Sequence, residues 1–149
     1  MPTHYSGNRV EMRTLNTFIK LTRCTNSLYT RLTERNTLDE LTPSQFAVLE
    51  ALYHLGSMTQ GEVSTKVLKS GSNITTVIDN LERDGLVKRE RNAKDRRVIH
   101  VHLTEAGTGK LEAVLPSHID ALVDEFSVLS ASEQLTLGEL CKKLGKGKG

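Results

Sequence analysis

The chain has 149 residues, of which 37% are hydrophobic and 26% charged, and its formal net charge is +2. This length is enough to bury one core, so we expect a single domain with room for an appended assembly element. The first thirty residues lack the apolar core of a signal peptide, and no run approaches the roughly 18 apolar residues of a membrane span. We therefore expect a cytoplasmic protein with no membrane segment.

The distribution of charge is more informative than its total. Residues 59–104 hold nine Lys or Arg against six Asp or Glu, whereas residues 105–140 hold one Lys against seven Asp or Glu. A cationic region beside an acidic one indicates a polyanion on one side only, because attraction to phosphates is screened within about 10 Å at ordinary salt. Nucleic acid is the polyanion that this pattern favours.

The N-terminal part is predicted to be a disordered lead, residues 1–9, followed by one long helix from Val10 to about Asn36. Its apolar residues recur at threes and fours: Phe18, Leu21, Leu28 and Leu32, with Cys24 on the same side. This stripe is longer than a compact monomer needs, so we expect part of it to face another subunit.

A second helix has clear start and stop signals. Thr42 is a predicted N-cap, Pro43 suits the first helical position, Gln45 can complete a capping box, and Gly56 ends the helix. The residues predicted to face inward are Phe46, Leu49, Leu52 and Tyr53.

Residues 59–104 predict a helix–turn–helix and then a basic hairpin. Thr59 and Glu62 form a capping-box pattern for the first helix, and a turn follows at 69–71. Ser72 is the predicted cap of the second helix, which ends at Gly85. Its apolar stripe consists of Ile74, Val77, Ile78 and Leu81. We expect this stripe to pack on the core and the opposite side to be exposed.

The hairpin is predicted from two short strands, residues 86–90 and 98–103, around the charged turn 91–97. Two further helices should follow. The first begins after Thr104 and contains Pro116, which should kink or break it because proline removes a backbone hydrogen bond. The last begins with a capping box at Ser130 and Glu133. The predicted fold class is mainly α, with one two-stranded β wing.

Five sequence blocks between Leu41 and Gly107 stand out together. They are Leu41-Thr42-Pro43-Ser44-Gln45, the run NITTVIDNLE at 73–82, Gly85-Leu86-Val87-Lys88-Arg89, Asp95-Arg96-Arg97, and Leu103-Thr104-Glu105-Ala106-Gly107. In this order they resemble the MarR family of winged helix–turn–helix transcription regulators. The resemblance implies that residues 37–107 form a DNA-binding domain, and that helices in 1–36 and 108–149 intertwine between two subunits as a dimerisation region.

The predicted DNA contacts fall into two groups. On the second helix of the pair, hydroxyls suit phosphates and amides suit base edges. The candidates there are Ser72, Asn73, Thr75, Thr76 and Asn80, and Arg83 lies on the same exposed side. In the hairpin, Arg96 and Arg97 suit a narrow minor groove. The phosphate contacts expected nearby are Lys88, Arg89, Arg91 and Lys94. The resemblance implies that Arg97 is the inserted arginine and that Asp95 orients it.

Two cysteines and two histidines have alternative interpretations. Cys24 and Cys141 lie on apolar helix faces, where a small buried thiol is the ordinary outcome. The alternative is a redox sensor, since some relatives in the family that the chain resembles carry a sensing cysteine in the first helix. His100 and His102 share one side of a strand, but no ligand accompanies them at recognisable spacing, so no metal and no cofactor are predicted.

These features predict a homodimeric, sequence-specific regulator of transcription that binds double-stranded DNA at a near-palindromic operator. We expect it to act as a repressor and to be released by a small-molecule effector or an oxidative signal. The chain has no Gly-rich phosphate loop and no nucleophile elbow, which argues against an enzyme. Two alternatives stay open: a winged-helix protein-interaction module, whose DNA affinity would barely depend on salt, and a nonspecific architectural DNA-binding protein.

Overall fold

The structure, a computed structural model, describes residues 3–67 and 73–149. In chain order its elements are α1 (Arg9–Glu34), α2 (Pro43–Leu55), β1 (Met58–Thr59), α3 (Gln60–Lys66), α4 (Ile74–Arg83), β2 (Val87–Arg91), β3 (Ile99–Leu103), α5 (Glu105–Phe126) and α6 (Ala131–Lys146). The chain divides into one unit of Met1–Asn36 with Asp120–Gly149 and a second unit of Thr37–Ile119. No helix in the described ranges has the length and apolar character needed to cross a membrane.

The sheet has three strands in the order β1-β3-β2, with both pairings antiparallel. The predicted hairpin is confirmed, with Val87 opposite Leu103 and Arg91 opposite Ile99. This hairpin is the predicted two-stranded wing, and Met58 and Thr59 add a short third strand on the other side of β3. Two residues between helices are too few to show the alternation by which a strand is recognised in a sequence.

The core of the second unit is formed where α2, α3, α4, α5 and the sheet meet. The residues fully withdrawn from solvent are Val48, Leu49, Val63, Ile78, Leu81, Val101 and Leu111. The inward positions predicted for Phe46, Leu49 and Leu52 are confirmed. Tyr53, in contrast, is 39% exposed, and its hydroxyl lies 3.4 Å from Glu112 Oε1. A tyrosine on this outer flank keeps its apolar ring on the protein and its hydroxyl in contact with water.

Most of the predicted helix starts are confirmed by their hydrogen bonds. Capping boxes begin α2 at Thr42 and α6 at Ser130, and the Thr59 hydroxyl accepts a hydrogen bond from the Glu62 amide at 3.1 Å. For α4 the cap is Asn73, whose side-chain oxygen accepts hydrogen bonds from amides of the first turn. The predicted cap Ser72 and the turn 69–71 lie outside the described residues.

The structure bears on two further predictions, one for the N-terminal lead and one for Pro116, where a kink or a break was expected and the break is absent. The described part of the lead, residues 3–8, is not simply disordered: the Tyr5 hydroxyl donates to Glu11 at 2.8 Å, and Asn8 caps α1. Helix α5 is not broken at Pro116 but continues through it. Buried side chains hold the helix on both sides of the proline, Val114 before it and Ala121 after it, and this packing offsets the lost hydrogen bond.

The first unit leaves much apolar surface open to solvent. Neither α1 nor α6 contains a buried residue, although each carries an apolar stripe. The exposed apolar residues include Val10, Phe18, Leu21, Leu137, Leu140 and Leu144. Within this unit α1 is tied to the end of α5 by Arg31 and Arg35, which contact the Glu125 carboxylate at 2.6 Å each. Their guanidinium groups hold the pKa of Glu125 below its usual value.

Gly107 is required where the start of α5 meets the strand leading into the hairpin. A Cβ atom at this position would lie 2.0 Å from Leu86 O and 2.8 Å from the Leu103 side chain. We predict that Gly107→Ala lowers the free energy of unfolding by about 1–3 kcal/mol, because a backbone oxygen cannot move aside as a flexible side chain can. Chemical denaturation followed by circular dichroism measures this change.

Gly109 provides the matched control two residues further along the same helix. A Cβ atom there would meet nothing within 4 Å. Gly109→Ala should therefore raise the stability by about 0.5–1 kcal/mol through its better helix propensity. Equal effects of the two substitutions would show that the close approach at Gly107 does not constrain the fold.

Candidate nucleic-acid interface

Helix α4 presents a different face to each of its surroundings. Ile78 and Leu81 are buried and hold one face on the core. At about 100° per residue, Thr76, Asn80 and Arg83 lie together on the opposite side of the helix. Thr76 and Arg83 are exposed and Asn80 is half-buried. The exposed polar side predicted from the sequence is therefore present, with a threonine, an amide and a guanidinium in one row.

The residues at the start of α4 are engaged in local hydrogen bonds. The Asn73 side-chain oxygen accepts from the amides of Thr75 at 3.1 Å and Thr76 at 3.3 Å, so this oxygen serves as a helix cap. The Thr75 hydroxyl accepts a hydrogen bond from Gln60 Nε2 at 3.2 Å. Gln60 was not among the predicted contacts, although its place at the start of α3, directly after the cap Thr59, was a signal for it.

The turn of the hairpin is closed by side-chain and backbone hydrogen bonds. Asn92 Oδ1 accepts from the amides of Lys94 and Asp95 at 2.8 and 3.2 Å. The Asp95 carboxylate then holds Arg97 in a forked contact, with distances of 3.0 Å to Nε and 3.2 Å to Nη2. The Arg97 amide also donates to Asp95 at 3.1 Å. The Arg97 side chain remains 91% exposed, so it is oriented without being covered.

The electrostatic effect of this fork falls on the aspartate. Hydrogen bonds from the Arg97 side chain and then from its amide lower the pKa of Asp95 below the usual value. A lowered folded-state pKa means that the contact is fully present above the ordinary aspartate pKa and is lost as the pH falls through the lowered value. The orienting contact is therefore intact at neutral pH.

The other cations of the hairpin differ in how far they are available. Lys88, Lys94 and Arg96 are exposed, and Arg91 Nη1 donates to Arg96 O at 2.7 Å across the turn. Arg89 is placed differently from the predicted phosphate contact: it forms ion pairs with Asp79 and Glu82 of α4 and is only 22% exposed. Strand alternation was a signal for this, because Arg89 shares a face with the buried Val87.

The hairpin and the helix pair converge on one open groove of about 520 Å³. It is lined by Thr59, Gln60, Gly61, Ser64, Ile74, Arg97, Val98 and Ile99. The beginning of α3, the beginning of α4 and the arginine at the hairpin tip thus line the same side of the second unit. The polar groups that line this groove come from the start of α3 and from Arg97, and α4 contributes Ile74.

Both cysteines, Cys24 and Cys141, are exposed. The interpretation of them as buried thiols is therefore wrong for the single chain, because α1 and α6 have no buried residue. His102 lies 2.8 Å from Ser57 Oγ and 3.2 Å from Glu90. Within residues 3–67 and 73–149, no cluster of three His, Cys, Asp or Glu side chains could hold a metal ion.

Comparisons with known proteins agree with this geometry. The sequence profile of the MarR family matches residues 41–99. The chain is 35% identical over 133 residues to the HTH-type transcriptional regulator MhqR of Bacillus subtilis, covering 89% of this chain and 92% of MhqR. It is 34% identical over 106 residues to the HTH-type transcriptional repressor MdtR of the same organism, covering 71% of this chain and 68% of MdtR.

A solved structure of a MarR variant from Escherichia coli in complex with operator DNA is similar, with a TM-score of 0.72 and 26% identity. The match covers 87% of this chain and 96% of that one. A helix pair with a polar helix face and an arginine-tipped hairpin defines a winged helix–turn–helix, DNA-binding regulator of transcription. The chain belongs to the MarR family, whose members are transcription regulators rather than enzymes.

The forked contact at the hairpin tip predicts a specific titration. In a carboxyl-carbon NMR titration, the Asp95 midpoint should lie below that of an ordinary aspartate and should rise in Arg97→Gln, because that variant removes the charged guanidinium and leaves only the backbone amide of the original donors. The matched control is Arg96→Gln, which removes the same charge from the neighbouring residue and should move the midpoint less. The same midpoint in wild type and Arg97→Gln would contradict the orienting contact.

Proposed function

We propose that this protein is a homodimeric repressor that binds a near-palindromic operator in double-stranded DNA and is released by a small-molecule or oxidative signal. The observation that carries the proposal is the exposed Arg97, held by Asp95 on the groove that the start of α4 also lines. On a duplex, the polar face of α4 would enter the major groove, and Arg97 would reach the neighbouring minor groove.

In this proposal the outer face of α4 reads bases. The Asn80 amide has the donor and acceptor that suit adenine, and the Arg83 guanidinium suits guanine. Thr76 lies on the same face one turn before Asn80 and contributes a hydroxyl. Asn73 and Thr75 are proposed to contact phosphates at the start of the helix, together with Ser72, which lies outside the described residues.

The hairpin supplies charge and groove-width sensing. A guanidinium inserted into a narrow minor groove gains from its enhanced negative potential, so Arg97 suits that position. Because Asp95 already orients the side chain, less rotamer freedom is lost on binding. The exposed cations of the hairpin are proposed to bind phosphates: Lys88, Arg91, Lys94 and Arg96.

Dimerisation is supported by the apolar stripes of α1 and α6. A monomer would leave residues such as Phe18, Leu140 and Leu144 in water, whereas an isologous interface would bury them in both subunits. Two copies would place two α4 helices in successive major grooves about 34 Å apart. The DNA-bound MarR structure and the naming of MdtR as a repressor support operator binding and repression.

Release is proposed to come from the first unit. Cys24 and Cys141 are exposed on α1 and α6, the helices proposed to join the subunits, so a modified thiol there would act on the spacing of the two α4 helices. A small molecule would do the same if it bound the two spacings with different affinities. Either signal lowers DNA affinity only through that difference.

The proposal predicts a defined loss of binding in Arg97→Ala. The probe is a duplex that the wild-type protein selects from a randomised library roughly 30 base pairs long, enough for two half-sites about 10 base pairs apart. Fluorescence anisotropy at fixed salt should show an affinity lowered by about 1–3 kcal/mol per subunit, roughly tenfold or more for the dimer, because one groove contact is lost in each half-site.

The control is Lys148→Ala, which removes one positive charge from the C-terminal tail and should bind the selected duplex as the wild type does. Undiminished binding by Arg97→Ala would contradict the role of the hairpin tip.

Two results with the wild-type protein would favour the alternative functions. An affinity that barely changes between about 50 and 200 mM salt would favour a protein-interaction module. A small preference for the selected duplex over random DNA would favour an architectural protein.

A further inference from the structure

We infer that Arg89 is a positioning residue that fixes the orientation of α4 against the hairpin, and that it is not a phosphate ligand. The inference rests on the proposed function, since it concerns how the same DNA-binding surface is held in place. It makes Asp79 and Glu82, two acids on a surface that binds a polyanion, necessary for specific binding.

Arg89 joins β2 to successive turns of α4. Its Nη2 atom donates to the carboxylate of Asp79 and, at 3.3 Å, to the backbone oxygen of Thr75. Its Nη1 atom lies 3.7 Å from Glu82 Oε1, and its own amide donates to Glu82 Oε2 at 2.9 Å. Arg89 thus contacts three positions of α4, Thr75, Asp79 and Glu82. These positions are spaced by four and three residues, so they lie on one continuous flank of the helix.

This flank lies next to the face proposed to read bases. Counting about 100° per residue, Thr75, Asp79 and Glu82 occupy the arc between the core face and the row of Thr76 and Asn80. Contacts to the flank resist rotation of the helix about its own axis. Such a rotation is the motion that would turn Thr76 and Asn80 away from the direction in which Arg97 points.

The surroundings of the guanidinium argue against a phosphate contact. The Arg89 side chain is 22% exposed, compared with 91% for Arg97. Its Nε atom is buried and has no hydrogen-bond partner within the described parts of the chain. The two carboxylates beside it would also repel a phosphate that approached the same site.

The sign of the charge change separates positioning from simple electrostatics. Asp79→Ala removes a negative charge from the DNA-binding unit and improves helix propensity, so both effects taken alone predict equal or tighter DNA binding. If Asp79 is needed to receive Arg89, the same variant binds specific DNA more weakly. Arg89→Lys adds a second test, because an ammonium keeps the charge but cannot form the planar fork.

The experiment measures the affinities of Asp79→Ala, Arg89→Lys and Arg89→Met for the selected duplex and for a scrambled duplex of the same composition. We expect all three variants to lose about tenfold or more on the selected duplex, the cost of one misplaced base contact, and to change little on the scrambled duplex. Retained binding to the scrambled duplex also shows that the variants are folded.

Two matched variants complete the set. Glu90→Ala removes the same charge as Asp79→Ala, but Glu90 points to the opposite face of β2 towards His102, so its specific binding should be unchanged or tighter. Lys88→Met removes an exposed cation and should lower the affinity for both duplexes equally. In a dimer that binds with both subunits, it should lower the slope of log affinity against log salt by about 1.8, about 0.9 for each lost phosphate contact, whereas Arg89→Met should leave this slope unchanged.

Two results would overturn the inference while the proposed function stands. One is a wild type that binds the selected duplex together with an Asp79→Ala variant that binds it equally well or more tightly. The other is an Arg89→Lys variant that behaves as the wild type while Arg89→Met loses affinity for both duplexes and lowers the salt slope by about 1.8. A wild type that selects no duplex from the library would overturn the proposed function and this inference together.

Discussion

The ten residues of α4 have to serve three surfaces at once, and this constraint shapes the rest of the second unit. One face is apolar and joins the core, one carries the exposed polar groups proposed to contact DNA, and the third fixes the helix against the sheet. Ile78 and Leu81 meet the first requirement and the Arg89 contacts meet the third. Apolar burial alone is not directional and leaves rotation of the helix poorly defined, whereas a forked guanidinium has a fixed geometry.

The hairpin meets a similar requirement at its tip. Arg97 must reach outward as a long, exposed side chain and still point in one direction, which costs conformational entropy. Asp95 reduces that cost because its carboxylate holds the guanidinium before DNA is present. The second unit therefore contains two arginine–aspartate contacts in different surroundings. The largely covered Arg89 fixes a helix, and the exposed Arg97 is the group proposed to enter the DNA groove.

Much of this architecture was predictable from local sequence signals. The caps Thr42, Thr59 and Ser130 and the apolar stripe of α4 depend on residues within one or two turns of each other, so the sequence carries them directly. Strand β1 and the Arg89 ion pairs were missed, because both depend on which surfaces meet in three dimensions. Arg89 and Lys88 look alike in the sequence, and only the burial of Val87 shows which of them faces α4. Exposure of the two cysteines likewise accompanies the lack of any buried residue on α1 and α6 within one chain.

The central claim is that α4 and the hairpin of two subunits grip one duplex together. Hydroxyl-radical footprinting of the selected duplex tests it most directly, because cleavage reports minor-groove and backbone access at each nucleotide. We expect a two-fold symmetric footprint with half-sites about 10 base pairs apart, and outer minor-groove protection that disappears in Arg97→Ala. A single protected patch without symmetry, or outer protection that persists in Arg97→Ala, would contradict it.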